Sequence, residues 1–124
     1  MQNSPATDPA RLVQRQLEAY SRKDIDAWLA TYARDAEQYA LHGERLAKGH
    51  EELRRRMLAR FAEPDLHAQL LSRVVRGAFV TDLERVTRTF PEGRGVMDML
   101  CIYEVTQGHI VRASFAFGES RLAR

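Results

Sequence analysis

Two carboxylates stand two residues apart in the segment VTDLERVTR, Asp82 and Glu84, and Asp98 follows in the next apolar run. Carboxylates held side by side split their proton affinities, which leaves one of them able to carry a proton near neutral pH. Asp82 is therefore a candidate acid or base. The competing expectation is electrostatic: Arg88, Arg112 and Arg73 are spaced to meet the same carboxylates across neighbouring strands, as an ion-pair array on an outer sheet face. His42, beside Gly43, is the second candidate proton carrier, because an unperturbed imidazole titrates at about 6.5. The four histidines, His42, His50, His67 and His109, are scattered without metal-ligand spacing, so neither a metal nor a cofactor is expected. There is no glycine-rich phosphate loop and no G-x-S-x-G nucleophile turn.

A scaffold must position these groups, and composition bounds it. The chain has 124 residues, 44% of them hydrophobic and 29% charged, which suits a single domain over 1–124 with residues 1–7 expected to be disordered. No run approaches the roughly 20 apolar residues that span a bilayer, and MQNSPATDPARLVQ lacks a basic-then-apolar leader pattern, so a cytoplasmic location without membrane contact is expected. The one cysteine, Cys101, lies in the apolar run VMDMLCIY and reads as core. The net charge of +2 rests on arginines interleaved with acids, which argues against a nucleic-acid partner. The densest basic run, ELRRRMLAR, carries Arg54, Arg55, Arg56 and Arg60 on the solvated side of a helix, with Leu53, Met57 and Phe61 on its apolar side.

Helical spacing of Leu12, Val13, Gln16, Leu17 and Tyr20 predicts a first helix, capped by Asp8 and opened by Pro9. Asp24 caps a second helix that buries Ile25, Trp28, Leu29 and Tyr32. A short strand near 36–42 and the glycine-bounded segment GERLAKG lead to a third helix in HEELRRRMLARFA, ended by EPD. Beyond Leu66, four segments rich in β-branched and aromatic residues are separated by the turn signals RG, PEGRG and TQG, and they predict four long antiparallel strands joined as hairpins. The result is an α+β fold in which helices gather against a curved antiparallel sheet.

Period-two alternation assigns faces. Phe79, Thr81, Leu83, Arg85 and Thr87 are the expected inner set of the second long strand, and Val80, Asp82, Glu84, Val86 and Arg88 the outer one. An inward Arg85 would need a buried acid or an anionic ligand. In the next strand Met97, Met99, Cys101, Tyr103 and Val105 share a face. In the last strand Val111, Ala113, Phe115 and Phe117 alternate with Ile110, Arg112, Ser114 and Ala116. Apolar residues on both faces of these strands predict a homodimer through the sheet.

The segments KDIDAWLATYARDAE, LAKGHEELRRR and IYEVTQGHIVRASFAF resemble the nuclear transport factor two-like superfamily, in its SnoaL-like and ketosteroid-isomerase-like branch. The resemblance covers about residues 9 to 118 and implies a cystatin-like cone: a bent sheet wrapped around three helices, with a pocket at the open end and dimers through the sheet. It is less informative about activity, because the superfamily holds isomerases, cyclases, epoxide hydrolases and non-catalytic binding modules. Ketosteroid isomerases need a carboxylate base and two oxyanion donors. Their positions match Ala40, Gln16 and Cys101 here, so isomerase chemistry by that mechanism is not expected. If Ala40 faces the pocket, alternation turns Gln38 and His42 the same way.

Within such a cone, Tyr20, Trp28, Tyr32, Met57, Phe79, Met97, Met99, Tyr103, Phe115 and Phe117 would line an amphipathic cavity for a small, largely apolar molecule. Gln16, Gln38, Cys101, Tyr20, Tyr103 and Arg85 would supply its polar contacts. The expected function is therefore small-molecule binding, with cofactor-independent acid/base chemistry of isomerase, cyclase or hydrolase type open to it. The alternative is a non-catalytic binding or dimerisation module. A cavity of several hundred Å3 favours the first and a packed cone the second.

Overall fold

The computed structural model describes residues 8–122; the segment 1–7, expected to be disordered, lies outside them. Helix α1 spans Pro9–Arg22, with the Asp8 carboxylate accepting from the Ala10 amide and proline in the first turn, where no N–H is missed. Helix α2, Ile25–Ala30, starts where the Asp24 side chain accepts from the Ala27 amide at 3.1 Å. It is short, so strand β1 begins at Tyr32 and runs to Ala40, four residues earlier than the sequence suggests. Strand β2 is Arg45–Lys48, helix α3 is Gly49–Phe61, and the meander follows as β3 His67–Arg76, β4 Phe79–Phe90, β5 Gly93–Thr106 and β6 His109–Leu122.

The six strands form one curved, unclosed sheet in the order β2-β1-β6-β5-β4-β3. All pairs are antiparallel except β1 with β6, which run parallel. Helices α1 and α3 contact the sheet, and the core joins Leu12, Val13 and Leu17 of α1 and Leu53, Met57 and Phe61 of α3 to Val80, Val86, Cys101, Tyr103 and Phe115 of the sheet. No helix among the described residues is long and apolar enough to cross a membrane.

The inner face of β4 is the reverse of the one expected. Val80, Asp82, Glu84 and Val86 are buried, while Phe79 is 48% exposed and Leu83 37%. The cause is register: the two-residue turn Pro91-Glu92 pairs Phe90 with Gly93, which puts Asp82 opposite Cys101 and Glu84 opposite Met99. Charge then finds partners inside. Asp82, fully buried, takes a two-pronged bond from Arg73 (Nε to Oδ1 2.7 Å, Nη2 to Oδ2 2.9 Å), and Arg73 also reaches Gln14 of α1. The expected pairing of Asp82 with Arg73 thus exists, but beneath the sheet. Arg85 turns outward and pairs with Asp98 at 2.9 Å. A register shift between Glu104 and Val105 also turns Ile110 inward and leaves Val111 half-buried, the opposite of simple alternation in β6.

Candidate functional site

A cavity opens between the inner face of the sheet and helices α1, α2 and α3. About 60 Å3 of it is open to the centre of a water molecule, room for on the order of four waters. That is well below the several hundred Å3 expected of a ligand site. Its apolar wall includes Met57, Met97 and Met99, unbranched side chains that can shift to admit a guest. The polar wall is unusual for a core. Gln16 Oε1, Trp28 Nε1, Tyr32 Oη and Glu84 Oε2 are all buried, all belong to cavity-lining residues, and none meets a hydrogen-bond partner among the described residues. Native interiors leave few such atoms unpaired, because each costs about 1–3 kcal/mol.

Glu84 is the central ionisable group. It is 5% exposed, and burial, reinforced by the nearby charge of Asp82, raises its pKa to about 7; the Cys101 thiol and Arg73 oppose the shift only partly. Its carboxyl is therefore shared between acid and base forms near neutrality. The tyrosines remain phenols: burial raises the pKa values of Tyr20, Tyr32 and Tyr103. Gln38 lies near the Tyr32 hydroxyl, but not at hydrogen-bond geometry, so Tyr32 Oη stays unpartnered. The Cys101 thiol, buried beside Glu84, is likewise pushed up.

Three arginines reach the cavity. Arg60 and Arg88 are both tied to Glu63, Arg88 by Nε to its two oxygens at 2.8 and 3.0 Å. Arg56 instead donates from Nη1 to Gln38 Oε1 at 2.9 Å and stacks over Phe115, its guanidinium 5.9 Å from the ring centre. Burial lowers its pKa, and no carboxylate among the described residues lies within ion-pair distance of it. The reading of the whole arginine run as a solvated face is thus corrected at two positions. Arg54 and Arg55 face outward, bound to Asp26 and Glu51, while Arg56 and Arg60 turn in.

Gln16, Tyr20, Trp28, Tyr32, Gln38, Met57, Met99, Cys101, Tyr103, Phe115 and Phe117 come together around the cavity. Four other expected site residues stand elsewhere. Phe79 and Arg85 lie on the outer face, for the register reason given above. His42 is not on β1 at all: the strand ends at Ala40, and His42 sits exposed in the following turn with φ of 57°. Asp82 is inside but outside the cavity lining, with both oxygens held by Arg73. The sequence reading did not bring Glu84, Arg56, Arg60 and Arg88 to this cavity. Two signals point to them. A two-residue turn puts even-numbered β4 positions on the face of Met97, Met99 and Cys101, and Arg56 and Arg60 follow Leu53 and Met57 at a spacing of three.

Comparison with known proteins agrees with this architecture. An uncharacterised cystatin-fold protein from Novosphingobium aromaticivorans superposes with a TM-score of 0.81 at 24% identity, over 87% of this chain and 97% of that one. A candidate polyketide cyclase from Sinorhizobium meliloti gives 0.70 at 25% identity, over 84% and 92%. A candidate ketosteroid isomerase from Kribbella flavida gives 0.77 at 14% identity, over 94% and 82%. None of the curated proteins matches the sequence. The SnoaL-like domain matches residues 13–113. With residues 13–113 matched by that domain, the chain belongs to the SnoaL-like family, and its curved sheet and helices have the fold of the cystatin-fold neighbour.

Proposed function

We propose that the cavity binds a small, largely apolar molecule and that Glu84 moves a proton on it without a cofactor. The observation that carries this reading is the buried Glu84 carboxyl, which lines the cavity, has an unpartnered oxygen and titrates near 7. In its ionised form Glu84 accepts a proton from carbon next to a ligand carbonyl; the C–H electron pair forms the C=C bond of an enolate as the C=O π pair moves onto oxygen. Trp28 N–H and the Tyr32 hydroxyl, both buried and unpaired, are donors suited to that oxygen. Return of the proton to the same or another carbon completes an exchange or an isomerisation. Candidate cyclase and isomerase descriptions among the structural neighbours are compatible with such chemistry.

Deuterium uptake by pentan-2-one in heavy water, followed by proton NMR, tests the base. Catalysed uptake above buffer is expected, falling to background in Glu84→Gln; equal rates in the two proteins would remove Glu84 from the reaction. The small cavity favours one second reading, a non-catalytic dimerisation module whose pocket is only core. That reading predicts neither ligand binding nor exchange.

A second copy of the chain is the partner we propose for the outer sheet face. That face carries Val74 at 64% exposure, Phe79 and Leu83, with the partly exposed Leu100 and Ile102 alongside. The Arg85–Asp98 pair flanks it.

A further inference from the structure

Arg56 and Glu84 reach the cavity over different strands of the sheet. Arg56 stacks over Phe115 of β6 and holds Gln38 of β1, whereas Glu84 belongs to β4, with β5 lying between β6 and β4. Adjacent strands are about 4.8 Å apart, so the backbones of β6 and β4 are separated by about 10 Å.

Charge distinguishes Arg56 from its neighbours. Arg60 and Arg88 share the Glu63 carboxylate. Arg56 spends one N–H donor on the neutral amide oxygen of Gln38 and meets no acid among the described residues. A half-buried guanidinium has lost part of its hydration, and its planar fork matches a carboxylate. Two of the other unpaired groups lean the same way, while Gln16 Oε1 and Glu84 Oε2 are acceptors. Trp28 Nε1 and the Tyr32 hydroxyl are buried donors without acceptors, and the phenols of Tyr20 and Tyr103 keep their protons. The cavity therefore suits a ligand rich in acceptor oxygens.

We infer that the ligand is a small oxo acid whose carboxylate binds Arg56 and whose carbonyl, separated from the carboxylate by methylene groups, sits by Glu84. The carbonyl end rests on the proton-transfer reading above; the carboxylate end rests on Arg56 alone. The methylene spacer lies against Met57 and Met99, and the separation follows from the strands that part Arg56 from Glu84.

The test uses a matched pair, 4-oxopentanoate and pentan-2-one, which differ by a carboxylate in place of a methyl group. Titration of the full chain followed by ligand-observed NMR at neutral pH is expected to show the acid binding roughly tenfold more tightly than the ketone. Arg56→Gln is expected to bring the ratio of acid to ketone affinity to about one, and Arg56→Lys to restore part of the preference. Equal affinities in the unaltered protein, no binding of either compound at millimolar concentration, or a preference that survives Arg56→Gln would overturn the assignment. The comparison within the unaltered protein stands even if Arg56→Gln does not fold. Failure of Glu84-dependent exchange, with the Arg56-dependent preference intact, sinks the proton-transfer reading and keeps the carboxylate site. The converse result keeps the proton transfer and removes the carboxylate.

Discussion

Glu84 is the residue on which the chemistry turns, and its burial has a cost that can be measured. Its pKa is 4.5 in its ordinary state and about 7 in the fold, so between those values the folded protein holds more protons than the unfolded chain. Its contribution to stability is thus fully present below about pH 4.5 and is lost as the pH rises through about 7. Urea denaturation should find Glu84→Gln more stable than the parent by about 3 kcal/mol near pH 8.5, and equal to it near pH 4. Asp82 behaves oppositely under mutation. It is fully buried and both oxygens are used by Arg73, so Asp82→Asn leaves a partly buried guanidinium without its counter-charge and should cost about 3 kcal/mol at neutral pH by the same measurement.

Among the elements, the β4–β5 hairpin and the β5–β6 pair decide what faces the cavity. Between Met97 and Met99 the register of β5 against β6 shifts, and Gly118 lies at that irregularity. A Cβ at Gly118 would come within 2.7 Å of the Asp98 carbonyl oxygen, so Gly118 permits a close approach that no side chain would. Gly118→Ala should push the two strands apart and lower stability by about 2 kcal/mol, read as a reduced denaturation midpoint. Helix α3 has a different task. Its stripe Leu53, Met57 and Phe61 anchors it to the core, while Arg56 and Arg60 on the adjoining stripe carry charge into the cavity.

For the molecule as a whole, the sheet has one face under helices and another that bears Val74, Phe79 and Leu83. Stable assemblies bury about 1,600 Å2 in total, and a strand-on-strand contact across this face is the assembly we propose. Sedimentation should give a dimer at micromolar concentration. Leu83→Lys, which puts a charge in the middle of the face, should shift it to monomer without changing the far-ultraviolet dichroism.

The sequence by itself determined the family, the order of helices and meander strands, the helix caps at Asp8 and Asp24, and most of the aromatic and methionine wall. These follow from local rules: capping oxygens, helical spacing and turn residues act over a few positions, so the chain carries them wherever it is read. Only the tertiary structure decided which face of β4 turns inward. Alternation offers two sets, and on hydropathy alone the one with Phe79 and Leu83 is the better core. The set with Asp82, Glu84 and Arg88 goes inside because register pairs it with Cys101 and Met99, and because Arg73, from β3, and Glu63, after α3, are there to meet Asp82 and Arg88. Glu84 is left without such a partner, and its proton affinity rises. Burying a charge is decided by partners on other elements, which is why the sequence could mark the Asp82–Glu84 pair but only the fold decided that Glu84 is the member left unpaired.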